Sequence, residues 1–249
     1  MIPVIAIEIA FHDSTQALAG AIKSALEQKV SGYFVGIVVL DSSPNWCASE
    51  ILRDSGLSSD VKVFRSNAKN AYTARNRLLR YAEKCWPRLA WHVRLDADDR
   101  LTCRNSISKS LKLVKPTHRI ILAGNRQIGN GGRVLGRNIP TRLLINRGRL
   151  MERLMGMAQG DFKAELPSCN LILRAGFKWR YPRRRSAEDH WLVAMLLLKS
   201  RPEWVYVRSV EMVDYFVGGL VTKQNKKNEM YLSQRVKLLE AAAGWQRCG

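Results

Sequence analysis

The sequence predicts an α/β fold, a mostly parallel sheet flanked by helices with a smaller mixed second half. Three observations predict it. Strand-like apolar runs alternate with segments of helical period through residues 1–100. Three of those strands lead into acids, at Asp13, Asp41 and Asp96, and open α/β sheets bind ligands at the carboxyl ends of their strands. A chain of 249 residues with 46% hydrophobic content can bury a substantial core, which excludes disorder.

The elements follow in order. Val4–Ala10 reads as a strand, and Asp13-Ser14 caps a helix whose apolar face is Ala17, Leu18, Ala21, Ile22, Ala25 and Leu26. Phe34–Leu40 is a second strand, followed by a helix over about Asn45–Asp54. Val61–Phe64 is a short third strand, and Ala71–Cys85 a longer helix with Leu78, Leu79 and Ala82 on its apolar face. Leu89–Leu95 is the fourth strand. Beyond it, the sequence predicts a helix near Asn105–Val114, a strand Arg119–Ala123 and a Gly- and Asn-rich turn or hairpin over Gly124–Gly136. A strand Ile139–Ile145, a helix near Arg149–Met155 and a strand Cys169–Leu173 come next. Ala187–Leu198 is a strong helix, Val205–Val207 and Met212–Val217 are short strands, and Met230–Ala243 is a terminal helix.

The charge pattern points to chemistry. Lys and Arg number 41 against 21 Asp and Glu, a net charge of +20, so the chain should attract anions. Acids are nevertheless concentrated at Asp96-Ala97-Asp98-Asp99 and at Glu188-Asp189. Clustered carboxylates repel one another unless a cation sits among them. Mg²⁺ or Mn²⁺ suits such a place, sharing its shell between one or two carboxylates, phosphate oxygens and water. A polar turn of solvated acids is the plain alternative. No apolar stretch reaches the roughly 20 residues a membrane span needs. Glu8 interrupts any signal-like core, and five cysteines without a C-x-x-C pair fit reduced thiols in a cytoplasmic protein.

The ordered set Val38-Val39-Leu40-Asp41-Ser42-Ser43, Asn67 ahead of Ala74-Arg75-Asn76, Asp96-Ala97-Asp98-Asp99, Cys169-Asn170 and Ala187-Glu188-Asp189-His190 resembles the family-2 glycosyltransferases of GT-A fold. The resemblance spans about residues 4–200. It implies a metal-dependent, inverting hexosyltransferase-like enzyme that moves a sugar from a nucleoside diphosphate to a hydroxyl. It further implies residues 1–100 as the nucleotide-sugar half and 101–249 as the acceptor half of one continuous domain. By position, Asp41 would accept the imide N–H of a pyrimidine base, and Arg75 would lie beside the nucleotide and the metal acids. Asp96 would lie near the ribose, and Asp96 and Asp98 form the D-x-D that takes Mn²⁺ or Mg²⁺. Asp189 would be the catalytic base. Helix-capping roles for Asp41 and for Glu188-Asp189 remain open beside these.

Phe11-His12-Asp13 stands where the family has Thr-Tyr-Asn. His12 and Asp13 are assigned to the nucleotide, with stacking or capping open for His12. No Gln-x-x-Arg-Trp motif occurs, which argues against a processive synthase. The leading donor is a UDP-sugar, with dTDP-sugar fitting the same contact. The resemblance further implies a hydroxyl acceptor, lipid-linked or anionic acceptors included, in cell-surface glycan or glycoconjugate synthesis. Arginines recur from Arg119 to Arg153 and at Arg180, Arg183, Arg184 and Arg185. They read either as a solvated face or as a surface for an acidic acceptor or the inner membrane leaflet. Lys223–Asn228 reads as a lid hinged at Gly218-Gly219. A non-catalytic polyanion- or RNA-binding protein is the rival class, although no nucleic-acid module is present and no nucleic-acid partner is expected. A sugar nucleotidyltransferase is the enzymatic rival, and it needs a Gly-rich phosphate loop that Ala10–Ser14 does not supply.

Overall fold

The structure is a computed structural model that describes residues 1–12, 15–45, 47–57, 60–161, 164–166, 168–184, 186–217 and 229–247. The first half is β1 (Val4–Phe11), α1 (Thr15–Leu26), β2 (Phe34–Asp41), α2 (Ala48–Asp54), β3 (Val61–Arg65), α3 (Ala71–Cys85) and β4 (Leu89–Asp96). The second half is β5 (Arg100–Leu101), α4 (Ser106–Leu111), β6 (Ile120–Ile128), β7 (Val134–Asn138), α5 (Arg147–Ala158), β8 (Leu171–Arg174), α6 (Glu188–Lys199), β9 (Val205–Phe216) and α7 (Glu229–Arg247). Among the described residues the strands form one sheet in the order β3-β2-β1-β4-β8-β6-β9-β5, with β7 on β6. β1 to β4 are mutually parallel. β8 then joins β4 antiparallel, so one sheet runs through both halves.

Alternation along β1 separates two packing layers. Ile5, Ile7, Ile9 and Phe11 pack with Val93 and Leu95 against α1 and α2. Ala6, Val38 and Leu40 pack against Ala74, Leu78 and Ala82 of α3. A third cluster joins α5, α6 and α7 through Leu150, Leu154, Trp191, Leu192 and Leu238. The same alternation puts Glu8, His92, Arg94 and Asp96 on the α3 side. The sheet thus carries a polar row where apolar residues would otherwise meet the helix layer.

The first-half elements fall where the sequence predicts them, apart from α2, which starts at Ala48 rather than near Asn45. The second half differs in three places. The hairpin expected over Gly124–Gly136 is present, with β6 antiparallel to β7, but β6 continues through Gly124 to Ile128 before it turns. A Cβ on Gly124 would sit 2.5 Å from Ile139 Cδ1 and 3.0 Å from the Asn138 carbonyl, so this glycine marks a close approach inside a strand. The turn comes later, where Gly131 and Gly132 take φ of 71° and 78°. The strand predicted over Ile139–Ile145 is corrected: β7 lies at Val134–Asn138, and Arg142–Ile145 is a 3-10 turn. Pro140 has no N–H to give a ladder and ends the pairing. The two short strands after Val205 are one strand, β9, whose register against β6 shifts on both sides of Gly124. The expected lid at Lys223–Asn228, its Gly218-Gly219 hinge and the Asp13-Ser14 cap lie outside the described residues. No helix among the described residues is long and apolar enough to cross a membrane.

Candidate active site

The strand register builds the site. Phe11 pairs with Asp41 on one side of β1, and Ala10 pairs with Asp96 on the other. The two acids therefore lie level at the carboxyl edge, two strand spacings or roughly 10 Å apart. Asp13, expected beside them, lies outside the described residues. His12 is exposed, and its Nδ1 donates to the Ser42 carbonyl at 2.8 Å, tying the end of β1 to the turn after β2. Asp41 is fully buried. Its Oδ1 accepts from the Ser43 N–H at 2.9 Å and from the Ser43 hydroxyl, and its Oδ2 accepts from Ala48 N at 2.8 Å. Both oxygens thus organise the turn into α2, a role the sequence left open beside base recognition. The Ser43 hydroxyl is the partner that can rotate away without moving backbone.

The Asp96 cluster divides by environment. Burial would raise the Asp96 carboxyl, but the charges of Arg94 and Arg75 outweigh it and hold Asp96 below its ordinary value. Asp98 has no cation paired with it among the described residues. Burial, followed by the neighbouring Asp96 charge, pushes its carboxyl up. Asp99 is buried, with Oδ1 accepting from Phe216 N at 3.2 Å and Oδ2 without a partner among the described residues. Burial and the charges of Asp96 and Asp98 push it well above the usual carboxylate range.

Arg75 and Arg94 cross-link this cluster to α6. Arg75, from α3, donates to Asp96 Oδ1 at 3.3 Å and to Glu188 Oε1. Burial and Arg94 act to lower its guanidinium, but Glu188, Asp96 and Asp189 prevail and raise it. Arg94 grips Asp96 with two donors, Nε to Oδ1 at 3.0 Å and Nη2 to Oδ2 at 2.6 Å. Its Nη1 donates to Asp189 Oδ2 and to the Ser168 carbonyl, both at 3.0 Å. Asp189 Oδ2 also accepts from the Ser168 hydroxyl at 2.9 Å, and Oδ1 from His190 N at 2.8 Å. Burial works against its charge, yet His190, Arg94, Arg75 and the His190 N–H hold Asp189 well below the ordinary carboxylate range. Ala187, just before α6 and next to these acids, takes a left-handed conformation at φ 55°. Such a conformation costs a non-glycine residue roughly 1–2 kcal/mol.

Asp96, Asp98, Arg75 and Asp189 are therefore brought together, while Asp41 and His12 stand across β1. Among the described residues no group of three or more metal-ligating side chains could hold an ion alone. The donor set fits a divalent cation only with outside oxygens. Asp98 is an uncompensated carboxylate and Asp96 stands next to it, and a diphosphate and water would complete the shell. Sequence reading missed Arg94, Ser168, the Arg75–Glu188 pair and Tyr181, over whose ring the Arg75 guanidinium lies at 5.5 Å. A signal for Arg94 existed: His92, Arg94 and Asp96 recur at period 2 within an apolar strand.

No family model matches the sequence, and no curated protein matches it. Solved structures do match the fold. S. aureus TarS 1–349 in complex with UDP superposes with TM-score 0.60 at 15% identity, covering 97% of this chain and 65% of that one. Longer TarS is covered over 42% of its length. The Pyrobaculum calidifontis mannosyltransferase PcManGT, in complex with GDP-Man and Mn²⁺, gives TM-score 0.55 at 15% identity, covering 98% and 64%. Glucosyl-3-phosphoglycerate synthase from Mycobacterium tuberculosis, with Mn²⁺, UDP-Glc and phosphoglyceric acid, gives 0.61 at 11% identity, covering 97% and 80%. The chain thus spans less than two thirds of PcManGT and of the TarS chain bound to UDP, and less than half of the longer TarS. It has the GT-A fold of glycosyltransferases, a mixed α/β architecture with a mostly parallel sheet flanked by helices.

Proposed function

We propose that this chain is a metal-dependent inverting glycosyltransferase that moves one sugar from a nucleoside diphosphate to an acceptor hydroxyl. One observation carries the reading. On a fold shared with nucleotide-sugar enzymes, Asp96 and Asp98 at the end of β4 converge with Arg75 of α3 and Asp189 of α6. Neighbouring structures hold UDP, UDP-Glc or GDP-Man, some with Mn²⁺, which supports a nucleotide-sugar donor and a divalent cation here.

In this reading Asp98, with Asp96, holds the cation, which when bound stabilises charge on the departing diphosphate. Arg75 lies beside the same acids and adds fixed positive charge where the leaving group develops negative charge. Asp189 stays ionised because Arg94 and the His190 N–H favour its charged form, so it can accept the proton of the attacking hydroxyl. Asp41 would reach a pyrimidine N–H only if the turn around Ser43 opened, since the carboxylate is fully buried; in that state it would favour a UDP-sugar or a dTDP-sugar. Residues 1–100 hold the donor and 101–249 the acceptor. The test is turnover of UDP-sugars by wild type and by Asp189→Asn. A wild type that bound RNA with steep salt dependence and ignored every nucleotide would favour the polyanion-binding alternative.

A further inference from the structure

We infer that Arg94 is a positioning residue for the proposed transfer, fixing the base Asp189 relative to the donor-side carboxylate Asp96. The inference rests on the site reading above and adds a residue to it. Arg94 stands two positions before Asp96 on the same face of β4 and is only 7% exposed. Its Nε and Nη2 hold both oxygens of Asp96, while Nη1 reaches Asp189 Oδ2 and the Ser168 carbonyl, both at 3.0 Å. One planar, rigid group thus spans the gap between the sheet edge and the first turn of α6.

The remaining contacts make this a brace rather than a neutralising charge. Ser168 Oγ and His190 N hold the two oxygens of Asp189 from other directions, so the carboxylate has a fixed orientation. Arg75 does not duplicate the function, because its ion pairs go to Asp96 and Glu188. Among the described residues Arg94 is the cation hydrogen-bonded to Asp189. The guanidinium fork sets distance and angle together. A lysine ammonium on a flexible stem is a single point of charge and cannot hold both acids in that geometry.

The substitutions Arg94→Lys and Arg94→Ala test this, with UDP binding measured in the presence of Mn²⁺ and hydrolysis of UDP-glucose and UDP-N-acetylglucosamine as turnover. A 1 Å misplacement of reacting groups can lower rates about 10²-fold, and Arg94→Lys should lower kcat on that order while KM and UDP affinity stay within about threefold. Added guanidinium should recover part of the activity lost in Arg94→Ala and none of that lost in Arg94→Lys. If Arg94→Ala does not fold, Arg94→Lys and its kcat-to-KM split decide. Unchanged kcat in Arg94→Lys, or a loss confined to KM, would overturn this inference alone. Wild-type protein that bound no UDP would overturn the site reading and this inference with it.

Discussion

Asn76 and Tyr181 clasp each other. The Asn76 amide donates to the Tyr181 carbonyl at 2.9 Å, and its Oδ1 accepts from Tyr181 N at 2.9 Å. The pair pins the 179–182 segment to α3, one residue from Arg75, and seats the Tyr181 ring beneath the Arg75 guanidinium. Asn76 follows Arg75 directly, so Arg75 and the latch that shapes its surroundings come from one stretch of helix. Asn76→Ala removes a donor and an acceptor and leaves two backbone groups to find water. Each unsatisfied group costs about 1–3 kcal/mol, and partial rehydration brings the expected loss to about 2 kcal/mol. Thermal melting checks this, with Asn76→Asp as a control that restores only the acceptor.

Ala187 is strained where the site needs it. Ala187→Gly relieves the left-handed conformation but adds chain entropy and removes a buried methyl, so stability should change by less than about 1 kcal/mol. It should also lower turnover, because the Glu188 and Asp189 directions loosen. Melting curves and turnover read from one preparation would show turnover falling with little change in melting.

Asp99 gives a pH signature. Its carboxyl is raised above the ordinary value of 3.8, so the folded state holds the proton more tightly than the unfolded chain. Stability from this group is therefore full below about pH 3.8 and is lost as pH rises through the folded value. Asn at this position keeps an acceptor for Phe216 N and removes the charge. Asp99→Asn should melt higher than wild type near pH 7 and level with it near pH 3. A difference that grew toward acid pH would reverse the assignment.

Asp189→Asn keeps the shape of the side chain and removes the proton acceptor. Turnover should fall by about 10²–10⁴-fold, the range of general base catalysis, while UDP affinity changes little. Equal losses in affinity and rate would instead make Asp189 a donor-binding group.

The first half was legible because each strand there is a continuous apolar run with a helix of clear period behind it. Asp41 and Asp96 were legible as acids at strand ends, whereas Arg75 and the role of Asp189 were singled out only by the resemblance of their surrounding residues to a family pattern. The second half was less legible for local reasons. The hairpin over Gly124–Gly136 was legible, but Gly124 itself lies inside β6, where Ile139 and the Asn138 carbonyl approach it closely. The polar middle of β9, around Arg208 and Glu211, hides a continuous strand. Arg94 was passed over because its run looks apolar, and only the packed sheet shows that its two partners arrive from the strand's own end and from α6. Asp41 shows a further limit. Its position was predictable, but the commitment of both oxygens to Ser43 and Ala48 depends on a turn that sequence does not specify.

The central claim is that the Asp96–Asp98 end of β4 binds a nucleoside diphosphate through a divalent cation. Calorimetric titration of UDP with and without Mn²⁺, on wild type and Asp98→Ala, tests it most directly. The account predicts binding that requires Mn²⁺ and is lost in Asp98→Ala, whose fold should survive because Asp98 is unpaired and sits among like charges. UDP binding that was indifferent to Mn²⁺ and to Asp98, or no binding by folded wild type, would contradict it.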